Sequence, residues 1–242
     1  MNQFIKGIIA SWIELLYPKR CIACDKVLLK IEKESGFCKS CAKKIRLIGP
    51  HYCLTCGIAV KENEQYCITC KTAGHSFDQA KSVFRYTGEM KNAMYRFKYG
   101  NRRCYGDKFA NHAIKNYGNW IKEKQIDVII PVPMYDKKKK RRGYNQAEVF
   151  ANSLSKMVGI PVENQFIRRN TDTVAMKQLN RLKRKKNLLK AFTIIKNDVQ
   201  FRKVLIVDDI YTTGSTLDEV ARVLKDGGVK EVYGLCICAG QL

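Results

Sequence analysis

The sequence predicts an α/β fold, a parallel sheet flanked by helices, set behind a small metal-built N-terminal module. Three observations predict it. Short apolar, β-branched runs alternate with helical runs from about residue 82 onward, the rhythm of a parallel sheet covered on both faces. One of these runs, at 204–207, leads into two adjacent acids and then a glycine- and hydroxyl-rich turn. Finally, eight of the 11 cysteines form four Cys-x-x-Cys pairs before residue 71.

The first element is an expected amphipathic helix over residues 1–20. Phe4, Ile8, Ile9, Trp12, Leu15 and Leu16 share one helical face that ends before Pro18. Ser11 and Glu14 interrupt the apolar run and no small-residue cleavage site follows, which argues against a signal peptide. No segment is apolar for long enough to span a membrane, so a cytoplasmic chain with this helix packed on its body is expected.

The second element is a zinc-binding module at 21–74. The pairs are Cys21/Cys24, Cys38/Cys41, Cys53/Cys56 and Cys67/Cys70. Two intervening residues let both sulfurs of a pair turn toward one tetrahedral ion, so four pairs make two four-thiolate sites and hold two Zn2+. Four thiolates leave no open position for water, which makes such sites structural. Sequential pairing is the simplest wiring, and cross-bracing stays open. Disulfides are disfavoured by this spacing in a cytosolic chain. Gly36 and Gly57 fall where tight turns beside the ligands are needed, and His51 and His75 read as ordinary polar residues.

The third element, at 75–242, carries the sheet. Strands are expected at 82–86, 126–132, 162–168, 192–195, 204–207 and 231–237, and helices at 90–97, 106–122, 145–158 and from 217 to 225. Gly159 and the Gly227-Gly228 pair stop two of the helices. Residues 169–191 are strongly basic with few signs of a packed element, and Cys236 and Cys238 read as core thiols.

The stretch VLIVDDIYTTGST at 204–216 carries the chemistry. A buried strand stops at Asp208 and Asp209, and a helix starts from Thr212, Thr213, Gly214, Ser215 and Thr216. Free N–H groups and the positive dipole end at a helix start hold a phosphate. Two carboxylates there would repel it unless they face something else, and sugar hydroxyls or a divalent metal are the obvious candidates. A phosphorylated sugar fits both halves.

The formal net charge of +23 points to polyanionic partners. It concentrates in six consecutive cations, Lys137, Lys138, Lys139, Lys140, Arg141 and Arg142, and in a second stretch containing Lys183, Arg184, Lys185 and Lys186. Solvated loops are the plain reading of both. So many cations exceed the need of one small ligand, which favours a nucleic-acid backbone, with Tyr144 and Tyr135 as stacking faces.

The residues at 204–216 resemble the phosphoribosyl-pyrophosphate (PRPP) signature of type I phosphoribosyltransferases. Together with the cysteine module, FKYGNRR at 97–103, PVPMYDKKKKRRGYNQAE at 131–148 and the loop bearing Gln178, Arg184, Asn187 and Phe192, the whole chain resembles the ComF (ComFC-like) competence proteins. The resemblance implies a type I phosphoribosyltransferase-like sheet. It implies that Asp208 and Asp209 hold the ribose hydroxyls and 212–216 cradle the 5′-phosphate. Pro133, Met134 and Tyr135 would form a pyrophosphate loop, which in related enzymes can contain a cis peptide. Mg2+ would bridge pyrophosphate and ribose, and 168–190 would close over the site. It also implies handling of single-stranded DNA during uptake in natural transformation, with a competence helicase (ComFA-like) and a DNA-processing protein as partners. The alternative it leaves is an active phosphoribosyltransferase working on a small amine or base.

Overall fold

The computed structural model describes residue 12 and residues 16–170, 191–195 and 200–240. Its strands are β1 (Gln79–Arg85), β2 (Val128–Pro131), β3 (Ile167–Arg169), β4 (Phe192–Ile194), β5 (Lys203–Tyr211) and β6 (Glu231–Ala239). Four of them form one parallel sheet in the order β1-β6-β5-β2. The helices of the ribbons are α1 (Lys39–Lys44) and α2 (Ile68–Thr72). Those around the sheet are α3 (Gly88–Tyr99), α4 (Tyr105–Lys124), α5 (Asp136–Arg142), α6 (Gln146–Val158) and α7 (Ser215–Asp226).

The two-residue period of the strands sorts the core into two layers. Leu205, Val207, Leu235 and Ile237 pack with buried residues of α3, α4 and α6. Their alternates Val204, Ile206, Val232 and Cys236 pack with Leu217, Val220, Ala221 and Leu224 of α7. The expected core role of Cys236 and Cys238 is met, since both are fully buried. At about 1.5–3 kcal/mol for each buried aliphatic side chain, the two layers fix the central strand and everything at its C-terminal end.

The structure departs from the sequence reading in four places. β5 does not stop at the acids but runs through them to Tyr211, because β6 pairs with it as far as Tyr211↔Ala239. The strand expected at 162–168 divides: Val162 makes a single parallel bridge to Ile129, and 167–169 turn away to pair antiparallel with β4. The 137–142 cations form helix α5 rather than a loop, closed at Gly143 with φ of 86°. At the N-terminus, Trp12 and Leu16 are 63% and 71% exposed, so the expected packed face is not packed at these positions. Phe4, Ile8, Ile9 and Leu15 lie outside the described residues, as do Lys183, Arg184, Lys185 and Lys186. Among the described residues no helix is long and apolar enough to cross a membrane.

Candidate ligand site and metal centres

The two ribbons repeat one local plan. An antiparallel bridge, Arg20↔Val27 in the first and Tyr52↔Ala59 in the second, folds a knuckle around the first pair of each set. The second pair opens a short helix, with Cys38 and Cys67 as the N-caps of α1 and α2. The sulfurs of Cys21, Cys24, Cys38 and Cys41 lie within 4.8 Å of one another, as do those of Cys53, Cys56, Cys67 and Cys70. Pairing is therefore sequential. Cys24 and Cys38 Sγ are 3.7 Å apart, as are Cys56 and Cys67 Sγ. A tetrahedron with Zn–S bonds of about 2.3 Å has an edge of about 3.8 Å, so both thiolate sets fit a closed zinc site.

The ribbons dock on different parts of the sheet body. The first meets α3 and α4: Arg96 Nε donates to the Ala23 carbonyl at 3.1 Å and Lys108 Nζ to the Lys33 carbonyl at 2.6 Å. The second lies on β1, where the Ala80 N–H donates to the Thr55 carbonyl at 2.7 Å. Gly57, at φ of +70°, is needed there twice over, since a Cβ would also strike the Ala80 carbonyl.

The candidate ligand site opens where β2 and β5 end. Asp208 and Asp209 sit side by side, partly buried, with the Asp209 N–H donating to Asp208 Oδ1 at 2.7 Å. Burial pushes the Asp208 carboxyl up to about 7, and the neighbouring charge of Asp209 adds to that rise. Burial also acts to raise Asp209, but Lys98 overrides it and holds the carboxyl below its ordinary value. Lys98 Nζ lies 2.6 Å from Asp209 Oδ2, with only 19% and 18% of the two side chains exposed. That pair links α3 to β5 and gives the site a cation that the sequence reading did not single out. Its signal lay in the FKYGNRR segment, with nothing local to say which residue mattered.

The glycine turn at 212–216 follows at once. Gly214 has φ of 78° and caps α7 through its carbonyl, which accepts from the Asp218 N–H at 2.8 Å. A Cβ at Gly214 would collide with the Tyr211 hydroxyl, so neither the backbone nor the space admits another residue. Thr213 Oγ1 and Ser215 Oγ lie 2.9 Å apart, and Thr212 is exposed at the mouth. The same Tyr211 hydroxyl faces the Cys56 sulfur, so the second ribbon lies directly behind this loop. Asp218 ties the two together again, accepting from His75 Nδ1 at 2.8 Å and from the Ser76 N–H at 2.9 Å.

Pro133, Met134 and Tyr135 form the turn after β2, next to the acids across the β2–β5 pairing. The described peptide bonds are trans, so the cis bond open to this loop is not present. Val132 anchors its start: the N–H donates to the Val207 carbonyl at 2.9 Å, and the carbonyl accepts from Asn145 Nδ2 at 2.9 Å. Tyr135 caps α5, whose cations divide by helical face. Lys138 and Arg142, one turn apart, face inward. Burial pulls the Lys138 ammonium down, as do the charges of Arg142, Arg169 and Lys98 around it. Lys139 pairs with Glu148 at 2.7 Å, while Lys137, Lys140 and Arg141 are exposed. The site thus pairs an acidic floor with a cationic wall, which suits a ligand bearing hydroxyls on one side and phosphates on another.

Residues 111–241 match the model of the phosphoribosyl transferase domain family, and residues 12–71 match the double zinc ribbon domain. Competence protein F of Haemophilus influenzae is 34% identical over 223 residues, spanning 89% of this chain and 96% of that protein. The chain belongs to the competence protein F (ComF) family. Competence protein ComFC of Bacillus subtilis is 26% identical, over 86% of this chain and 89% of its own. DNA utilization protein YhgH of Salmonella typhimurium is 28% identical, over 84% and 90%.

One nominated residue in this ComF-family chain has a different role from the one expected. Tyr144 is 4% exposed, and its hydroxyl donates to the Phe97 carbonyl. It is a packing residue at the entrance to α6, with no open face for a base. The exposed aromatics near the cations are instead Tyr95 and Tyr99 of α3, at 65% and 60%.

Proposed function

We propose that this protein binds PRPP with Mg2+ at the C-terminal edge of β2 and β5, and that it presents α5 to single-stranded DNA during uptake in natural transformation. One observation carries the first half. Asp208 and Asp209 lie on the same strand end as a helix start lined with hydroxyls, and cations from α3 and α5 face them. Ribose hydroxyls would donate to the two carboxylates, and the 5′-phosphate would take the N–H groups and hydroxyls of 212–216. The pyrophosphate would lie toward Pro133, Met134, Tyr135 and the inward faces of Lys138 and Arg142. Mg2+ would join pyrophosphate and ribose oxygens, which suit a hard cation that keeps its waters. Lys98 would then trade part of its contact with Asp209 for the incoming phosphate. Titration calorimetry of Mg-PRPP against the full chain tests this, and absence of saturable heat would refute it.

The second half rests on the outward cations of α5 and on the names of the relatives, which speak of competence and DNA utilization. The helicase and DNA-processing partners of the family are expected to meet the protein on that DNA in the cytoplasm. Substituting Lys137, Lys140 and Arg141 by Ala should leave PRPP binding intact and weaken single-stranded DNA. The salt slope of log affinity should fall by about 2, at roughly 0.7 per lost phosphate contact. Fluorescence anisotropy over a salt series reads it, and an unchanged slope would remove α5 from the interface.

A second reading keeps transferase chemistry. A cavity of about 330 Å³ separates the Pro133–Met134 turn from Arg168 and Arg169 of β3, with room for a small amine or base. Continuous pyrophosphate release from PRPP in the presence of one small acceptor would favour that reading over a ligand-binding role.

A further inference from the structure

α3 presents a stripe that the acid site does not use. Met90, Ala93, Met94 and Phe97 form its buried face. On the opposite face Lys91, Tyr95 and Tyr99 follow one another at four-residue spacing and are all exposed, and the line continues into exposed Arg102 and Arg103. Residues four apart on a helix are surface neighbours. The two tyrosine rings have centroids 5.0 Å apart at 49°. Arg142 completes a ladder: its guanidinium lies 5.0 Å from the Tyr99 centroid, and Nη2 donates to the Tyr99 hydroxyl at 3.2 Å. Nη1 donates to Gln146 Oε1 at 2.8 Å, which holds the guanidinium plane in place. The ladder therefore starts at the wall of the acid site and ends in solvent on Tyr95.

Single exposed aromatics are common and need no explanation. Here two lie in line with a fixed guanidinium and are bordered by exposed cations of α5 and the α3–α4 turn. Acids on these elements are engaged elsewhere, Glu89 with Lys44 at 3.2 Å and Asp136 with Arg168 at 3.3 Å. Two exposed, mutually tilted π faces bordered by cations match the bases and the backbone of a single strand. A duplex, with its bases paired inside, has no use for the rings.

We infer that Tyr95 and Tyr99, with Arg142, form a base-stacking platform for single-stranded nucleic acid, leading along α3 to the mouth of the PRPP site. The inference rests on the DNA-binding half of the proposed function and says which residues read the bases. Tyr95 takes a base on its outer face, Tyr99 positions the next one, and Lys140 and Arg141 take the phosphates, while Arg102 is paired with Asp25 at 3.6 Å. Each stacked base contributes sequence-tolerant affinity, so the strand is held without being read.

The test compares labelled oligothymidylate with an abasic oligomer of equal length and charge, using fluorescence anisotropy on the full chain. Wild type should prefer the oligomer with bases by about tenfold or more. Tyr95→Ala/Tyr99→Ala should lose that preference and keep the salt slope, because no charge is removed. Tyr95→Phe/Tyr99→Phe should retain it. Cross-linking of wild type with 5-iodo-deoxyuridine oligomers should map to Tyr95 or Tyr99, independently of any variant. A preference unchanged in the Ala variant, or cross-links confined to other residues, would overturn the platform alone. Failure of wild type to bind either oligomer would overturn the DNA reading itself and the platform with it.

Discussion

Replacing Asp208 and Asp209 together by Asn is expected to abolish Mg-PRPP binding while the fold persists. Each carboxylate would accept from a ribose hydroxyl, and hydrogen bonds to charged groups contribute about 1.5–3 kcal/mol. Losing both costs about 3 kcal/mol or more, a fall of over a hundredfold in affinity. The empty site carries a second signature. Burial and the Asp209 charge push Asp208 up to about 7, against about 3.9 for an unfolded aspartate. The folded state therefore holds its proton more tightly across that window. Stability from this group is full below about pH 4 and is lost as pH rises toward about 7. Asp208→Asn alone should remove that loss, so the ligand-free variant melts higher than wild type at pH 8 and equally at pH 4. Wild-type affinity for Mg-PRPP should rise as pH passes through about 7 and Asp208 ionises. Thermal melts across pH and calorimetry at pH 6 and 8 measure both. A wild-type melting curve parallel to that of Asp208→Asn at every pH would refute the raised Asp208 carboxyl, and unchanged Mg-PRPP affinity in the double variant would remove the acid pair from the site.

The acid pair and the thiolate sets were legible in the sequence because their chemistry is local. A strand, two carboxylates and a glycine turn are consecutive, and two intervening residues suffice to aim two sulfurs. What lies outside local pattern was not. Lys98 meets Asp209 from a helix more than a hundred residues upstream, and no spacing rule marks it. α5 is seven residues of nearly uniform charge, so it has no apolar stripe to announce a helix, although Tyr135 and Gly143 bound it cleanly. Tyr144 stands among Arg, Gly and Asn and reads as exposed. It is buried because its ring packs against Phe97 and its hydroxyl donates to the Phe97 carbonyl. The sequence pattern ends β5 at Val207, before the acids, since charge rarely continues a buried strand. Pairing with β6 carries it on to Tyr211, four residues further, which brings Tyr211 under Gly214.

That last detail sets the second large effect, an asymmetry between the two zinc ribbons. Cys56→Ser should lose one zinc of two and lower the melting temperature by about 10 °C or more. Structural zinc contributes of the order of 10 kcal/mol in isolated fingers, and about 1 kcal/mol moves a domain of this size by about 2–4 °C. It should also weaken the proposed PRPP binding, because the second ribbon supports the 212–216 turn by two routes. Tyr211 spans from the Cys56 sulfur to Gly214, and His75 with Ser76 holds Asp218 in the first turn of α7. Cys24→Ser should likewise lose one zinc but weaken PRPP less, since the first ribbon rests on α3 and α4. Tyr211→Phe separates support from folding. The ring stays in the core, both zinc ions remain, and the loss of the hydroxyl beside Cys56 should speed release of one ion to a chromophoric chelator by about ten- to a hundredfold. Elemental analysis, melting curves and calorimetry read the three variants side by side. Equal weakening of PRPP by Cys24→Ser and Cys56→Ser would mean that zinc supports the fold as a whole. Unequal weakening, with one fast-released ion in Tyr211→Phe, ties the second ribbon to the loop through that hydroxyl.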